Sequence, residues 1–119
     1  MSMNKKYYVI AGYDLTGYGT DKYNDWKWTE EGEKYTCNQI KGEIQLFDDP
    51  MDGAHLYLGY VLASGDKYDF ATTSFELSDI ENYSRNVNSE LVKLCESGII
   101  SKDPHFHPKF KIIVFEECT

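Results

Sequence analysis

The sequence has 119 residues, of which 41% are hydrophobic, and a formal net charge of −8 at pH 7. This length fits one domain that buries a core without disulfides or metals, so we interpret 1–119 as a single domain. No run of about 18 apolar residues is present, which excludes a transmembrane helix and argues against a membrane partner. The acidic balance argues against direct binding of nucleic acid, because phosphate contacts need a basic surface.

The N-terminal segment and the cysteines predict a cytoplasmic protein. Residues 1–12, MSMNKKYYVIAG, contain only a short apolar run interrupted by tyrosines, and they lack the small-residue cleavage site of a signal peptide. The cysteines, Cys37, Cys95 and Cys118, are an odd number at unrelated spacings. This pattern is typical of free thiols in a reducing compartment rather than of a disulfide framework.

The chain begins with a predicted strand and a loop. Residues 7–13, YYVIAGY, are apolar on both faces and predict the first strand. Residues 14–26 contain Gly17 and Gly19 among acids and turn formers, which indicates a loop. The G-Y-G sequence lacks the third glycine and the lysine-Ser/Thr pair of a phosphate loop, so no nucleotide site is expected.

The next segment predicts a second hairpin and another strand. Residues 26–29 and 34–37 flank the sequence Glu-Glu-Gly-Glu and indicate the two arms of a hairpin, with a short helical turn over 29–34 as the alternative. Residues 43–47 predict a further strand, and residues 48–53 a tight acidic turn that contains proline and glycine.

A third hairpin is predicted over residues 55–77. Residues 56–63 alternate between two fairly apolar faces, and residues 64–67 supply turn chemistry. Residues 70–77 are rich in β-branched and aromatic side chains and predict the returning strand. Phe75 and Leu77 are expected to lie on its buried face.

One main helix is predicted over about residues 79–97. Ser78 and Glu81 have the spacing of a capping box, and Gly98 is a suitable residue to follow the helix. A break at 86–89 into two shorter helices is the alternative. The apolar residues recur at threes and fours and form one stripe: Ile80, Tyr83, Val87, Leu91, Leu94 and Cys95.

The chain closes with a predicted central strand. Ile99 and Ile100 are expected to pack beneath the helix. Residues 109–116, KFKIIVFE, are apolar on both faces, which predicts a strand in the middle of the sheet beside the first strand. The predicted fold class is therefore α+β, with an antiparallel-dominated sheet of five to six strands and the main helix packed on one face.

The candidate chemical sites each favour a structural interpretation. His105 and His107 alternate on an extended loop without a companion ligand, so exposed histidines are expected rather than a metal site. Asp48, Asp49 and Asp52 lack the order of a calcium loop and are expected to form a solvated turn. None of the cysteines has the neighbouring histidine of a nucleophile. We predict no catalytic residue, no metal, no cofactor and no enzymatic activity.

The excess of negative charge is concentrated in the first two thirds of the chain. Residues 14–81 contain fifteen acids and five lysines, whereas residues 82–119 contain five acidic and five basic residues. Aromatic side chains beside these acids are typical of a binding surface with large anchors and a charged rim, the alternative being that Trp26 and Trp28 pack as a satellite core. The predicted partner-binding residues are Asp14, Tyr18, Asp21, Tyr23, Asp25, Trp26, Trp28, Glu30, Glu31, Glu33, Asp48, Asp49 and Asp52.

These features predict an inhibitor that covers a basic, nucleic-acid-binding groove of a partner protein, such as a nuclease. In size, in its tyrosine-rich acidic composition and in its lack of catalytic motifs, the chain resembles the small acidic anti-CRISPR and other anti-defence proteins of phages and mobile elements. The resemblance implies that the partner is a defence nuclease, and it assigns no individual residue. A toxin-neutralising immunity protein, a small enzyme without a recognisable motif, and self-association through a sheet edge are the alternatives.

Overall fold

The computed structural model describes residues 5–36, 42–48, 55–65, 74–103, 105 and 107–118. In chain order the elements are β1 (Lys5–Asp14), α1 (Tyr23–Trp26), α2 (Glu30–Thr36), β2 (Ile44–Asp48), β3 (Leu56–Gly65), α3 (Leu77–Glu96) and β4 (Lys111–Cys118). The fold is α+β with an antiparallel sheet and one main helix, which confirms the predicted class. None of the helices in these ranges is both long and apolar enough to cross a membrane.

The sheet has the strand order β2-β3-β1-β4, and every neighbouring pair is antiparallel. The described residues form four strands, fewer than the five to six predicted. The predicted pairing of β4 with β1 is confirmed, with Lys5 opposite Cys118. The prediction that β4 lies in the middle of the sheet is wrong for the strands that the structure describes, because β3 pairs with the other side of β1 and β4 is the last strand in the order.

The main core lies between the sheet and α3. Leu46 of β2 and Leu58 of β3 are fully buried and belong to one cluster with Val87 and Leu91 of α3. Ile99 and Ile100 are buried in the same cluster, as predicted. The predicted apolar stripe is therefore the side of α3 that packs against the sheet.

A second, aromatic cluster lies on the opposite face of the sheet. Tyr8, Ile10, Phe47 and Val61 are buried there. The Phe115 ring packs 5.4 Å from the Tyr8 ring and 5.1 Å from the Phe47 ring, measured between centroids. Because a cluster of buried side chains lies on each face of the sheet, the sequences of β1 and β3 are apolar on both faces.

Helix α3 differs from its prediction at the N-terminus. It begins at Leu77 and runs unbroken through residues 86–89, so the alternative of two helices is wrong. The predicted capping box is also wrong: the N-cap residue is Glu76, and no side chain caps it. Ser78 lies inside the first turn, one residue past the helix start. The predicted end is confirmed, because Gly98 follows the helix with φ of 78°.

The predicted returning strand over 70–77 is wrong at its C-terminal end. Residues 70–73 lie outside the described residues, residues 74–76 are irregular, and Leu77 is helical. The side chains of Phe75 and Leu77 are 38% and 79% exposed, so neither forms the predicted buried face. Side chains alternate between two faces only in a strand, so the predicted alternation does not apply where the chain is irregular or helical.

The predicted hairpin over 26–37 is wrong, because the described part of this segment contains α1 and α2. Its alternative, a helical turn near 29–34, is confirmed. Thr29 Oγ1 accepts the backbone N–H of Gly32 at 3.1 Å, as an N-cap side chain does. Glutamates in the first turn of α2 are favoured by the helix dipole. A β-carbon on Gly32 would lie 2.1 Å from the Trp26 carbonyl oxygen, so glycine permits close approach of the two helices.

Candidate partner-binding face

The segment that carries α1 and α2 is anchored to the last residue of β2. Lys27 Nζ lies 3.1 Å from Asp48 Oδ2, and the buried Tyr23 donates its hydroxyl to the same oxygen at 3.2 Å. Burial, followed by the charge of Asp48 and this hydrogen bond, raises the pKa of Tyr23. Among the predicted site residues, Asp48 and Tyr23 therefore hold the segment in place.

The loop before α1 is tied to the segment that follows α3. The Thr20 N–H donates to the Ile99 carbonyl at 3.0 Å, and the Tyr18 carbonyl accepts from the Ser101 N–H at 2.8 Å. The Tyr18 side chain is partly buried against the main core. These long-range hydrogen bonds fix the position of a segment that the sequence predicts only as a loop.

The two tryptophans have different environments. Trp26 is partly buried against the core, and its ring centroid lies 6.0 Å from that of Tyr23 and 5.6 Å from that of Tyr35. Trp28 is 73% exposed, with Lys27 Nζ 5.4 Å from the centroid of its ring. The satellite-core alternative therefore describes Trp26 but not Trp28.

The acids of this segment project into solvent. We define the α2 face as Trp28, Glu30, Glu31 and Glu33, all of which are exposed. Asp21 and Asp25 on the preceding loop and α1 are exposed as well. Three glutamates in the first turn of α2 thus follow an exposed indole within five residues. Charge beside exposed aromatic area is common at protein-binding surfaces.

Asp14 and Asp48, the other predicted acids that the structure describes, are not part of the α2 face. Asp14 is exposed at the end of β1, and its Oδ1 accepts the N–H and the hydroxyl of Thr16 at 3.0 and 2.5 Å. It therefore stabilises a local turn. Asp49 and Asp52 lie outside the described residues.

A groove of about 650 Å³ lies between α2, the β2 edge and α3. Its charged lining residues are Glu31, Lys34, Glu43, Glu90 and Lys93. Glu43 and Glu90, which line this groove, are not among the partner-binding residues predicted from the sequence. Glu90 is partly buried on α3, and its contact with Tyr35 joins α3 to α2.

One side of the groove is held by a tyrosine–glutamate contact. The Tyr35 hydroxyl donates to the Glu90 carboxylate, and Lys93 Nζ lies 3.4 Å from the other carboxylate oxygen. Burial and the contact with Glu90 raise the pKa of Tyr35. Tyr35 is therefore protonated at neutral pH and acts there as a hydrogen-bond donor to Glu90.

The candidate metal and thiol groups that the structure describes are two histidines and Cys95. His105 and His107 are exposed. Within the described ranges, no three histidine, cysteine, aspartate or glutamate side chains lie close enough together to hold a metal ion. Cys95 is partly buried against the core, and burial raises the pKa of its thiol.

Comparison of the chain with protein-family models, with curated proteins and with solved structures yields no match. The candidate site therefore depends on the geometry of the α2 face alone.

Proposed function

We propose that the protein is an inhibitor that binds a partner protein through the α2 face and covers a basic, nucleic-acid-binding surface of that partner. The observation that carries the proposal is the position of Trp28, 73% exposed and directly before a helix whose first turn contains three exposed glutamates. The protein acts in the cytoplasm by binding and carries out no reaction.

Electrostatics support this choice of partner. Carboxylates can occupy a groove lined by lysine and arginine because such a groove attracts negative charge whatever group carries it. Trp28 supplies apolar area that the charges alone lack, and exposed tryptophans are frequent anchors of protein interfaces. A nuclease with a basic groove for DNA, as in anti-CRISPR inhibition, is the expected class of partner.

The anchored position of α2 supports binding as a preformed surface. The ion pair between Lys27 and Asp48 and the hydrogen bonds of the Thr20 loop hold the segment before binding. A rigid surface loses little conformational entropy when it binds, so more of the free energy of the contacts is available for affinity.

The test is binding to purified nucleases with basic DNA grooves, RNA-guided nucleases among them, in competition with duplex DNA. We expect binding that releases the DNA and weakens steeply between about 50 and about 200 mM salt, because the contact is electrostatic. A toxin nuclease in the same panel distinguishes an immunity protein from an anti-defence inhibitor.

The critical variant is Glu30→Gln, Glu31→Gln and Glu33→Gln combined. Neutral glutamines remove the charge without placing three lysines at a helix N-terminus, where the dipole disfavours them. The matched control, Glu81→Gln with Glu96→Gln and Asp103→Asn, removes three exposed acids elsewhere. Equal loss of binding in both variants would assign the effect to net charge and remove the α2 face from the site.

A further inference from the structure

The edge strand β4 has an apolar surface that α3 does not cover. Ile112 and Val114 lie on the face of the sheet that packs against α3, and they are 45% and 68% exposed. In the part of the chain that the structure describes, no strand pairs with the outer side of β4.

The strand is also a regular template for pairing. Its ladder with β1 runs from Lys111 to Cys118 without a register shift. Residues 112–115 contain no charge and no proline. Bulges, prolines and central charges are the usual protections of an edge, and all three are missing from the middle of this strand.

We infer that β4 pairs antiparallel with β4 of a second copy of this chain, which joins the two sheets into one continuous sheet. The argument is charge self-complementarity along the strand. One end of β4 begins with Lys111, and the other end contains Glu116 and Glu117. Antiparallel pairing of two identical strands brings each basic end beside the acidic end of the other copy.

The register follows from the two faces of the strand. Opposed residues in antiparallel strands share a face, so only residues of the same parity can be opposite each other. Placing Val114 opposite its own counterpart sets Ile113 opposite Phe115, and Lys111 opposite Glu117. A shift by two positions in one direction sets Val114 against Glu116 and leaves Lys111 without an acid opposite it. A shift in the other direction sets Lys111 against Phe115, and the lysine opposite Glu117 is then Lys109, which lies outside β4.

The dimer leaves the α2 face free. Helix α2 packs beside β2, at the opposite edge of the sheet from β4. The two copies would therefore present their α2 faces at the far ends of the joined sheet. Dimerisation is independent of the proposed inhibition, and either can fail without the other.

The contact between two edge strands is small, so we expect a weak and reversible dimer, because interfaces below about 1,200 Å² are typical of transient complexes. Sedimentation velocity over a concentration series from about 1 µM to about 1 mM measures the dissociation constant across the range of weak complexes. We expect the dimer fraction to rise with concentration, and Val114→Lys to raise the dissociation constant at least tenfold.

A charge-swap cycle tests the register. Lys111→Glu and Glu117→Lys should each weaken the dimer several-fold, and the double variant should restore it, because the charges then pair with exchanged sign. Asn24→Lys adds the same charge as Val114→Lys at an exposed site on α1 and should leave the dimer unchanged. Far-UV circular dichroism verifies that each variant is folded.

Two outcomes would overturn the inference. One is a protein that stays monomeric over the whole concentration range. The other is a dimer that the double variant fails to restore, since the partner strand would then not lie in the stated register.

Discussion

Lys27 Nζ lies 3.1 Å from Asp48 Oδ2, and this ion pair joins the turn after α1 to the last residue of β2. The two side chains are only 15% and 27% exposed. The hydroxyl of Tyr23 donates to the same carboxylate oxygen. Two donors thus meet one partly buried acceptor, and this contact helps to hold the segment that carries α1 and α2 against β2.

Asp48→Ala should lower the free energy of unfolding by about 1–3 kcal/mol. The variant leaves a partly buried ammonium and a buried hydroxyl without their acceptor, and unsatisfied buried groups cost more than a lost surface pair. Urea unfolding followed by circular dichroism measures the change. Asp25→Ala, which removes an exposed carboxylate from the same segment, should change the value by less than about 0.5 kcal/mol. Similar effects of the two substitutions would contradict the anchoring role.

Tyr23 should make the protein sensitive to alkaline pH. Its pKa in the folded protein is raised above the ordinary value of 10.0. Below pH 10 the tyrosine is neutral in both states, and its contribution to stability is complete. As the pH rises above 10, the unfolded chain loses the proton first, so the free energy of unfolding falls.

Tyr23→Phe should therefore reduce the loss of stability above pH 10, although it lowers stability by about 1 kcal/mol at neutral pH through the lost hydrogen bond. Urea unfolding at a series of pH values, for the wild type and the variant in parallel, isolates this tyrosine from the lysines that titrate nearby. Parallel curves for the two proteins above pH 10 would show that Tyr23 is not responsible.

The elements that could be predicted from sequence carry complete local signals. In α3, Val87 and Leu91 recur at a helical period and Gly98 marks the end, and the structure keeps all three features. In β1 and β3 the apolar residues are buried on both faces. In these elements the local sequence pattern and the tertiary packing favour the same structure, so the pattern alone predicts it correctly.

The remaining elements depend on contacts that a sequence pattern does not contain. The sequence around Gly32 resembles a turn, and only its close approach to the Trp26 carbonyl explains a glycine inside a helix. Ile112 and Val114 resemble residues of a central strand, because an apolar edge has the same composition as an apolar centre. For the site, the exposure of Trp28 and the partial burial of Trp26 follow from α1 and α2, which the sequence predicted as part of a hairpin.

The corrected helix starts predict different effects for two similar residues. Thr29→Ala should destabilise the protein by about 1 kcal/mol, because the hydroxyl accepts the N–H of Gly32 at the start of α2. Ser78→Ala should be close to neutral, because Ser78 lies within the first turn of α3 and caps nothing. Thermal unfolding of both variants gives the comparison. A larger loss of stability for Ser78→Ala than for Thr29→Ala would show that Ser78 caps α3, as the sequence predicted.

Gly32→Ala should destabilise the protein and displace α2. The added β-carbon would lie 2.1 Å from the Trp26 carbonyl oxygen and 2.7 Å from the α-carbon of Lys27, and both of these atoms are backbone. Backbone atoms cannot rotate away as a side chain can, so α2 must shift, at a cost of about 1–3 kcal/mol. The helix propensity of alanine is higher than that of glycine, so an isolated helix would change in the opposite direction.

Urea unfolding measures the stability of this variant, and the fluorescence of its two tryptophans reports the displacement, because Trp26 packs beside the altered contact. Glu33→Ala is the matched control, since it changes an exposed residue of the same helix to alanine without a new contact. A Gly32→Ala protein at least as stable as the wild type, with unchanged fluorescence, would mean that α2 does not pack against Trp26 this closely.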